Sequence, residues 1–197
     1  MTFAARTLQG ATGFVPVTHI RGPGSGVETI PVGATKLVIE LGEAGAGGGS
    51  NPFSAPSGGG SGGLIRTAVI PLTSTNWGQT LNWSLAFGAL GGAPGSNDGA
   101  APAASSVSNG TFVATTVNLT ASAPTGGKSI GFPGGLGGAV SGGAVNTPGN
   151  AGQTGNAGGN GGARIVGTYV NSGAGGAGNE GVPGGNGENG AAAFAYT

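Results

Sequence analysis

The sequence predicts a mainly β fold in which short β-strands are combined with packed polyglycine II rods and little or no α-helix. The first observation is a glycine at every third position over two long stretches. This period matches the polyproline II conformation, which has three residues per turn, so that a line of glycines lets a neighbouring backbone approach closely. The second is a set of short β-type runs between these stretches. The third is the absence of an apolar repeat at helical spacing, while 49 glycines oppose helix by about 1 kcal/mol each relative to alanine.

The β-type runs alternate with turn-rich segments. Pro16 confines the first run to a sheet edge or a strand start, because proline has no N–H to donate. In the third run alternate residues from Leu37 to Leu41 are apolar, which is typical of a half-buried strand. Lys36 and Glu40 then lie on the opposite face. The clearest run carries four large apolar residues on one side: Leu81, Trp83, Leu85 and Phe87. The predicted strands are residues 14–20, 27–30, 35–41, 64–72, 81–87, 111–120, 164–170 and 191–197, and residues 21–26 are predicted to form a turn.

The glycine triplets predict the rods. One register runs unbroken over residues 149–163, and a second holds over 175–190. Small residues keep a third register over 42–63, across an insertion at 51–56. We expect each run to form a packed rod, with the insertions as loops at its ends. A collagen triple helix is disfavoured, because it requires about 15–20% Pro or more and the run 149–163 has none. A disordered low-complexity tract is the other alternative.

Composition limits the partners. The six Lys and Arg are scattered and equal the six Asp and Glu in number, so we expect neither nucleic acid nor an anionic membrane surface as a partner. Cysteine is absent, which leaves no disulfide and no thiolate metal ligand. No run is long enough to insert into a membrane, and the N-terminus lacks the apolar core of a signal peptide. We expect such a protein to leave its cell by another route, such as release in an assembled particle.

The sequence gives little support for a catalytic site. His19 is the only histidine, which excludes a pair of histidines within one chain. A glycosidase needs two carboxylates across a cleft, and most of the acidic residues fall on strand faces or in glycine tracts. Residues 173–178 match GxGxxG, but neither a βαβ unit nor a following helix accompanies them. We therefore expect a protein that is not an enzyme and that has no catalytic residue, metal or cofactor.

The order of these features resembles the glycine-rich domains of bacteriophage tail fibres and adhesins. A strand within residues 30–41 leads directly into a glycine tract that begins at Gly42. Residues 77–92, WGQTLNWSLAFGALGG, are similar to a further element of that family. The match covers roughly residues 27–197, which we expect to form one glycine-rich domain after an N-terminal arm or attachment segment at 1–26.

The resemblance implies a protein of the virion surface, made in the host cytoplasm without a signal peptide. In related adhesins, polyglycine II rods form a rigid sandwich whose end loops contact the host receptor. The implied partners are a host surface glycan or outer-membrane protein and, through residues 1–26, other virion proteins. A homotrimer is compatible with this arrangement.

Candidate receptor-binding residues are those that interrupt the rods or lie where loops should emerge. An aromatic residue in a Gly/Pro loop or a turn is either a local plug or an exposed contact. The candidates are Asn51, Phe53, Trp77, Asn97, Asp98, Phe132, Val182, Glu188 and Asn189.

Three functions stay open at this point. The first is a non-enzymatic tail-fibre or fibre-tip adhesin that presents loops for host-cell attachment. The second is a purely structural capsid decoration or fibre-shaft protein. The third is an ice-binding protein, because a polyglycine II bundle can present a flat face of small residues, although the Asn, Gln, Glu and Val between the glycines make this face irregular.

Overall fold

Two antiparallel β-sheets packed face to face form one end of the molecule. The computed structural model describes residues 13–53, 55–130, 134–154 and 161–197. The strands in these residues are β1 (Val17–Arg21), β2 (Gly24–Thr29), β3 (Lys36–Gly42), β4 (Ser50–Asn51), β5 (Leu64–Arg66), β6 (Ile70–Pro71), β7 (Thr80–Leu85), β8 (Ser105–Asn109), β9 (Asn118–Ala121), β10 (Val140–Ser141), β11 (Val145–Thr147), β12 (Asn179–Glu180) and β13 (Ala191–Tyr196). The first sheet has the order β1-β13-β3-β5-β11, with β6 paired to the start of β3, and the second has the order β10-β9-β8-β7-β2.

The predicted mainly β class is confirmed. Helical structure in the described residues is limited to one 3-10 turn at Ser74–Asn76. β1 follows Pro16 and lies at a sheet edge, as the proline predicts. The last strand, β13, is central rather than peripheral, since it pairs with both β1 and β3.

The core lies between the two sheets, where alternating apolar side chains face inward. Leu37, Ile39 and Leu41 of β3 are fully buried and belong to one cluster with Leu81 and Leu119 of the second sheet. Complete burial of a side chain of this size contributes roughly 1.5–3 kcal/mol. The alternation predicted for β3 is confirmed on this face.

The opposite face of β3 differs from the half-buried strand that the sequence predicts. Glu40 is only 1% exposed, because a loop at residues 167–170 lies over it. Backbone N–H groups of this loop donate to the Glu40 carboxylate. Lys36, on the same face, is exposed.

The predicted strand 111–120 is wrong over residues 111–117 and correct only at 118–120. β8 ends at Asn109, a loop follows, and β9 begins only at Asn118. The Asn109 side chain stabilises this loop by donating to two of its carbonyls and accepting from the N–H of Val117. The β-type residues at 111–117 therefore form a loop and do not pair as a β-strand.

Two further strand predictions fail for local reasons. The predicted strand 164–170 is replaced at residues 166–170 by a compact loop closed by a bridge between Val166 and Asn171. Phe87 does not share the inward face of β7, because β7 ends at Leu85. Phe87 is 68% exposed.

The predicted turn at 21–26 is shorter than expected. β2 already begins at Gly24 and pairs with β7 from that residue on. The three small residues at its start suit this pairing, since a Cβ at Gly26 would overlap the Trp83 ring.

Ten glycine-rich segments, which we call rods, extend from the sheets toward the other end of the molecule. Within the described ranges, their backbone N–H groups bond to carbonyls of other rods rather than forming long two-strand ladders. In chain order, rods 1 to 10 are residues 43–49, 56–63, 86–93, 97–101, 122–129, 134–139, 148–154, 161–165, 172–178 and 184–190.

Rod 1 bonds to several neighbours in rotation. Its bonds to rod 2, each 3.0 Å long, recur at every third residue and run from Glu43 to Gly63, from Ala46 to Gly60 and from Gly49 to Ser57. The amides between them bond to rods 10 and 4, and rods 3, 5 and 9 donate to its carbonyls. Among the described segments, six rods thus enclose rod 1.

Rod 2 is enclosed in the same way. Its amides bond in turn to rods 5, 7 and 9, and its carbonyls accept from rods 1, 6 and 8. Every residue of rods 1 and 2 is buried. In the described chain, the other eight rods form a ring around this pair in sequence order, and rod 10 closes the ring against rod 3.

The strict triplet runs are each divided, which corrects the prediction of one rod per run. Residues 149–163 supply most of rods 7 and 8, which run in opposite directions relative to rod 2. Residues 175–190 supply most of rod 9 and all of rod 10, which are also antiparallel. In residues 175–190 the glycine register continues through the change of direction at 179–183, because glycine suits both a packed rod and a turn.

We expect Gly60→Ala to destabilise the fold by about 3 kcal/mol or more. A Cβ at Gly60 would overlap the carbonyl oxygen of Leu136 in rod 6, and a buried backbone cannot move aside. Gly22→Ala is the control, because a Cβ there meets nothing within 4 Å, and its effect should stay within about 0.5 kcal/mol. Urea denaturation of both variants measures the difference. Equal stabilities would contradict the central position of rod 2.

Candidate functional site

The directions of the rods place their short connections at one end of the molecule. Odd-numbered rods run away from the sheets and even-numbered rods return, as their parallel and antiparallel bonds to rods 1 and 2 require. The described parts of the connections, at residues 50–53 after rod 1, 94–96 after rod 3, 130 after rod 5 and 179–183 after rod 9, therefore belong to the end far from the sheets. We call the described residues there, 50–53, 94–98, 128–130 and 179–183, the loop end.

Backbone pairing ties three of these connections together. Ser50 exchanges two hydrogen bonds with Asn97, of 2.8 and 3.0 Å. β4 pairs in parallel with β12, so that Asn179 lies beside Ser50 and Glu180 beside Asn51. The loops consequently share one anchored base.

Side chains link the same loops further. Asn51 is buried, donates from Nδ2 to the carbonyl of Ser129 (2.7 Å) and accepts from the N–H of Phe53 (2.8 Å). The Ser50 hydroxyl donates to the carbonyl of Val182 (2.6 Å). Asn51 is therefore a structural anchor of the loop end.

Asp98 links the segment at residues 94–98 to rod 5. Its carboxylate accepts from the N–H of Ser129 (2.7 Å) and from Nζ of Lys128 (2.9 Å). Burial acts to raise the pKa of Asp98, but these hydrogen bonds outweigh it, so the net pKa lies below its ordinary value.

The loop end also has exposed apolar side chains. Phe53 is 91% exposed, Ile130 69% and Val182 54%. Three large apolar side chains exposed at the same end make the loop end a candidate contact surface for a partner.

The predicted site residues fall into two groups. Asn51, Phe53, Asn97, Asp98 and Val182 lie together at the loop end, and Phe132 lies outside the described residues. The other three predicted residues lie elsewhere.

Trp77, Glu188 and Asn189 each have a local partner away from the loop end. The Trp77 indole N–H donates to the carbonyl of Ala34 (2.9 Å), and its ring packs against the core. Glu188 pairs with Arg164, and the Asn189 side chain accepts from the N–H of Gly88 (2.9 Å). All three lie at or beside the sheet end.

Sequence reasoning missed several residues of the loop end. Ser50 and Ser129 resemble the other small residues of the glycine tracts, and their bonds appear only when distant rods meet. Ile130 carried a usable signal, because it is a large apolar residue between the polar Ser129 and a Gly–Phe–Pro segment.

In the described residues, most acidic side chains have their own hydrogen-bond or ion-pair partners, and the acidic side chains do not form a cluster. Glu28, only 1% exposed, accepts from Arg21 and from the hydroxyl of Tyr196 (3.1 Å), and its carboxylate lies 2.6 Å from His19 Nδ1. Burial, followed by the nearby Glu28 charge, raises the pKa of Tyr196 far above its ordinary value.

Across the described positions, no three His, Asp or Glu side chains group as metal ligands. In the same residues, no helix has the length and apolar character to span a membrane.

Glu43 is buried where rod 1 leaves β3. Its carboxylate accepts from the N–H of Ala44 (2.8 Å), the N–H of Ser105 (2.6 Å) and the Ser105 hydroxyl (3.0 Å). Burial nevertheless raises the pKa of Glu43 to about 7, because the charged form loses its hydration there.

Comparison of the sequence with protein-family models and with curated proteins finds no match to either.

The raised pKa of Glu43 predicts that its contribution to stability falls as pH increases. A carboxyl with a folded pKa near 7 and an ordinary value of 4.5 binds its proton more tightly when folded. Its stabilising contribution is complete below pH 4.5 and is lost as pH rises through 7, by about 3 kcal/mol in all. Urea denaturation from pH 4 to pH 8 should show the wild type losing stability relative to Glu43→Gln by about this amount, because glutamine does not titrate. Glu180→Gln, at an exposed position, should keep the wild-type pH dependence, and the same result for Glu43→Gln would contradict the assignment.

Proposed function

We propose that this chain is a non-enzymatic protein of a bacteriophage virion, a tail-fibre or fibre-tip adhesin that attaches to host cells through its loop end. The observation that carries the proposal is the collection of the short rod connections at one end, above a shared hydrogen-bonded base. A bundle in which several described connections return to the same surface is suited to present loops.

The rods belong to this proposal as polyglycine II helices. Three residues per turn direct successive N–H groups to three different sides, and the direction repeats at every third residue. The rotation of the rod 1 bonds among rods 2, 10 and 4 has this period. A β-strand, with a period of two, directs its N–H groups to only two neighbours within a sheet.

The chemistry of the loop end supports a binding role. Phe53, Ile130 and Val182 are exposed beside polar backbone, whereas Ser50 and Asn51 below them are completely buried or nearly so. Pre-organised loops lose little conformational entropy on binding, which favours affinity. A host glycan or an outer-membrane protein would both offer apolar and hydrogen-bonding groups to such a surface.

The outer faces of the ring bear on the ice-binding alternative. Rod 3 exposes Phe87 and Leu90, whereas rod 10 exposes Asn186 and Asn189. An ice-binding face should be flat and regular, and large aromatic and amide groups at neighbouring positions do not provide this. Thermal hysteresis would favour the ice-binding function over attachment.

We expect Phe53→Ala to weaken binding to host cells by at least tenfold. A buried aromatic anchor at an interface contributes about 2 kcal/mol or more, and Phe53 is 91% exposed in the free protein. Its thermal stability should change little, since its side chain has no core position. Flow cytometry of labelled protein on a panel of bacterial strains measures the binding.

Val113→Ala is the matched control, because Val113 is 75% exposed but lies in the sheet-end loop after β8. It should bind like the wild type. Equal losses in the two variants, or no binding of folded wild-type protein to any strain that its parent phage infects, would refute attachment through the loop end. Labelled antibodies seen over the whole shell of particles would instead favour a capsid decoration.

A further inference from the structure

Arg66 differs from the other arginine residues of the described chain. Arg21 pairs with Glu28, and Arg164 pairs with Glu188. The Arg66 guanidinium has no carboxylate within salt-bridge distance in the described residues. It donates one hydrogen bond, from Nη1 to the hydroxyl of Thr168 (3.1 Å). A guanidinium has five N–H donors, so most of its donors have no acceptor among the described residues.

The side chains around Arg66 are held in place from below. Glu40, 1% exposed, accepts from the N–H groups of Thr168 (3.1 Å), Tyr169 (2.9 Å) and Val170 (2.9 Å). These hydrogen bonds fix the loop in which Thr168 and Tyr169 lie beside Arg66. The Arg66 guanidinium lies 6.0 Å from the centroid of the Tyr169 ring, a distance at which a cation and a ring attract each other.

Glu40 and Arg66 have different roles despite being neighbours in register on β3 and β5. The Glu40 carboxylate is covered and used by three backbone donors, whereas Arg66 is partly exposed. A ligand that approaches from solvent therefore finds unused donors on the Arg66 guanidinium, whereas the Glu40 carboxylate is already hydrogen-bonded to backbone N–H groups.

A cavity of about 310 Å³ opens beside this guanidinium. Its polar lining includes Arg66, Thr147, Thr168 and Glu40, and the Glu40 carboxylate is already used by three backbone N–H donors. Its apolar lining includes Val145 and Val166, which are 55% and 75% exposed. The volume lies at the small end of the range for small-molecule sites, about 300–1,000 Å³. One monosaccharide is of suitable size.

We propose that this cavity binds a single carboxylate-bearing sugar. The sugar carboxylate accepts hydrogen bonds from Arg66, its hydroxyl groups bond to Thr147 and Thr168, and its apolar ring face packs against Val145 and Val166. The cavity lies at the sheet end, far from the loop end, and is independent of the proposed attachment function.

The test compares two sugars that differ only in the carboxylate. The full chain is titrated with methyl β-glucuronide and with methyl β-glucoside, and binding is followed by NMR chemical shifts. The glucuronide should bind at least tenfold more tightly, because a charge-assisted hydrogen-bonded pair contributes more than a neutral one. Equal binding of the two sugars, or no binding of the glucuronide, would overturn the proposal. N-acetylalanine, a carboxylate without a sugar ring, should bind at least tenfold more weakly, and equal affinity would exclude a sugar-specific site.

Variants assign the binding to Arg66. Arg66→Met should lose at least tenfold in glucuronide affinity, whereas Arg164→Met, at another partly exposed arginine, should bind like the wild type. Arg66→Lys keeps the charge but lacks the planar fork of donors, so it should bind with intermediate affinity and serves if Arg66→Met fails to fold. Wild-type affinity in a folded Arg66→Met variant, or in Arg66→Lys, would overturn the role of Arg66.

Discussion

The hydrogen-bonding requirement of rods 1 and 2 determines most of this structure. A buried backbone N–H or C=O without a partner is strongly unfavourable, and both rods are buried at every residue. Neither rod can satisfy its own groups, because an extended backbone has no internal hydrogen bonds. Each therefore needs neighbours on all sides, and among the described segments the eight outer rods provide them.

This requirement also explains where glycine is needed. At Gly47 a Cβ would overlap the Leu90 carbonyl, and at Gly49 it would overlap the carbonyl of Lys128. Ala44 and Ala46 are nevertheless accepted in the same rod and are fully buried. Side chains are thus excluded only where a neighbouring backbone comes closest. The β-sandwich contributes what the rods lack, a conventional apolar core that fixes their sheet-side ends.

Some of the fold could be predicted from the sequence because its signals are local. The alternation from Leu37 to Leu41 identifies β3 and its buried face, and Pro16 correctly limits β1 to an edge. The glycine period predicts packed segments, but it cannot say where a segment reverses, since both rods and turns accept glycine. The division of residues 149–163 into two rods was missed for this reason.

The candidate site could be predicted only in part, for a related reason. Phe53 and Val182 stand out as large residues in glycine tracts, and this contrast identifies them without a structure. The roles of Ser50 and Glu40 could not be found in this way, because their partners come from distant segments of the chain, such as Asn97 and Val182 for Ser50 and residues 168–170 for Glu40. Trp77 stood out equally, yet its turn belongs to the sheet end and its indole N–H bonds to Ala34.

The order of the rods along the chain has a kinetic consequence. The two enclosed rods are synthesised first, but their last neighbours, rods 9 and 10, come from residues 172–190. At ribosomal rates the interval is of the order of ten seconds, during which rods 1 and 2 have only water for many of their N–H groups. Contacts between such distant segments slow folding. The bundle should therefore fold late, in a nearly cooperative step after the C-terminal residues emerge from the ribosome. Shortened chains that end before rod 9 should not form stable folding intermediates.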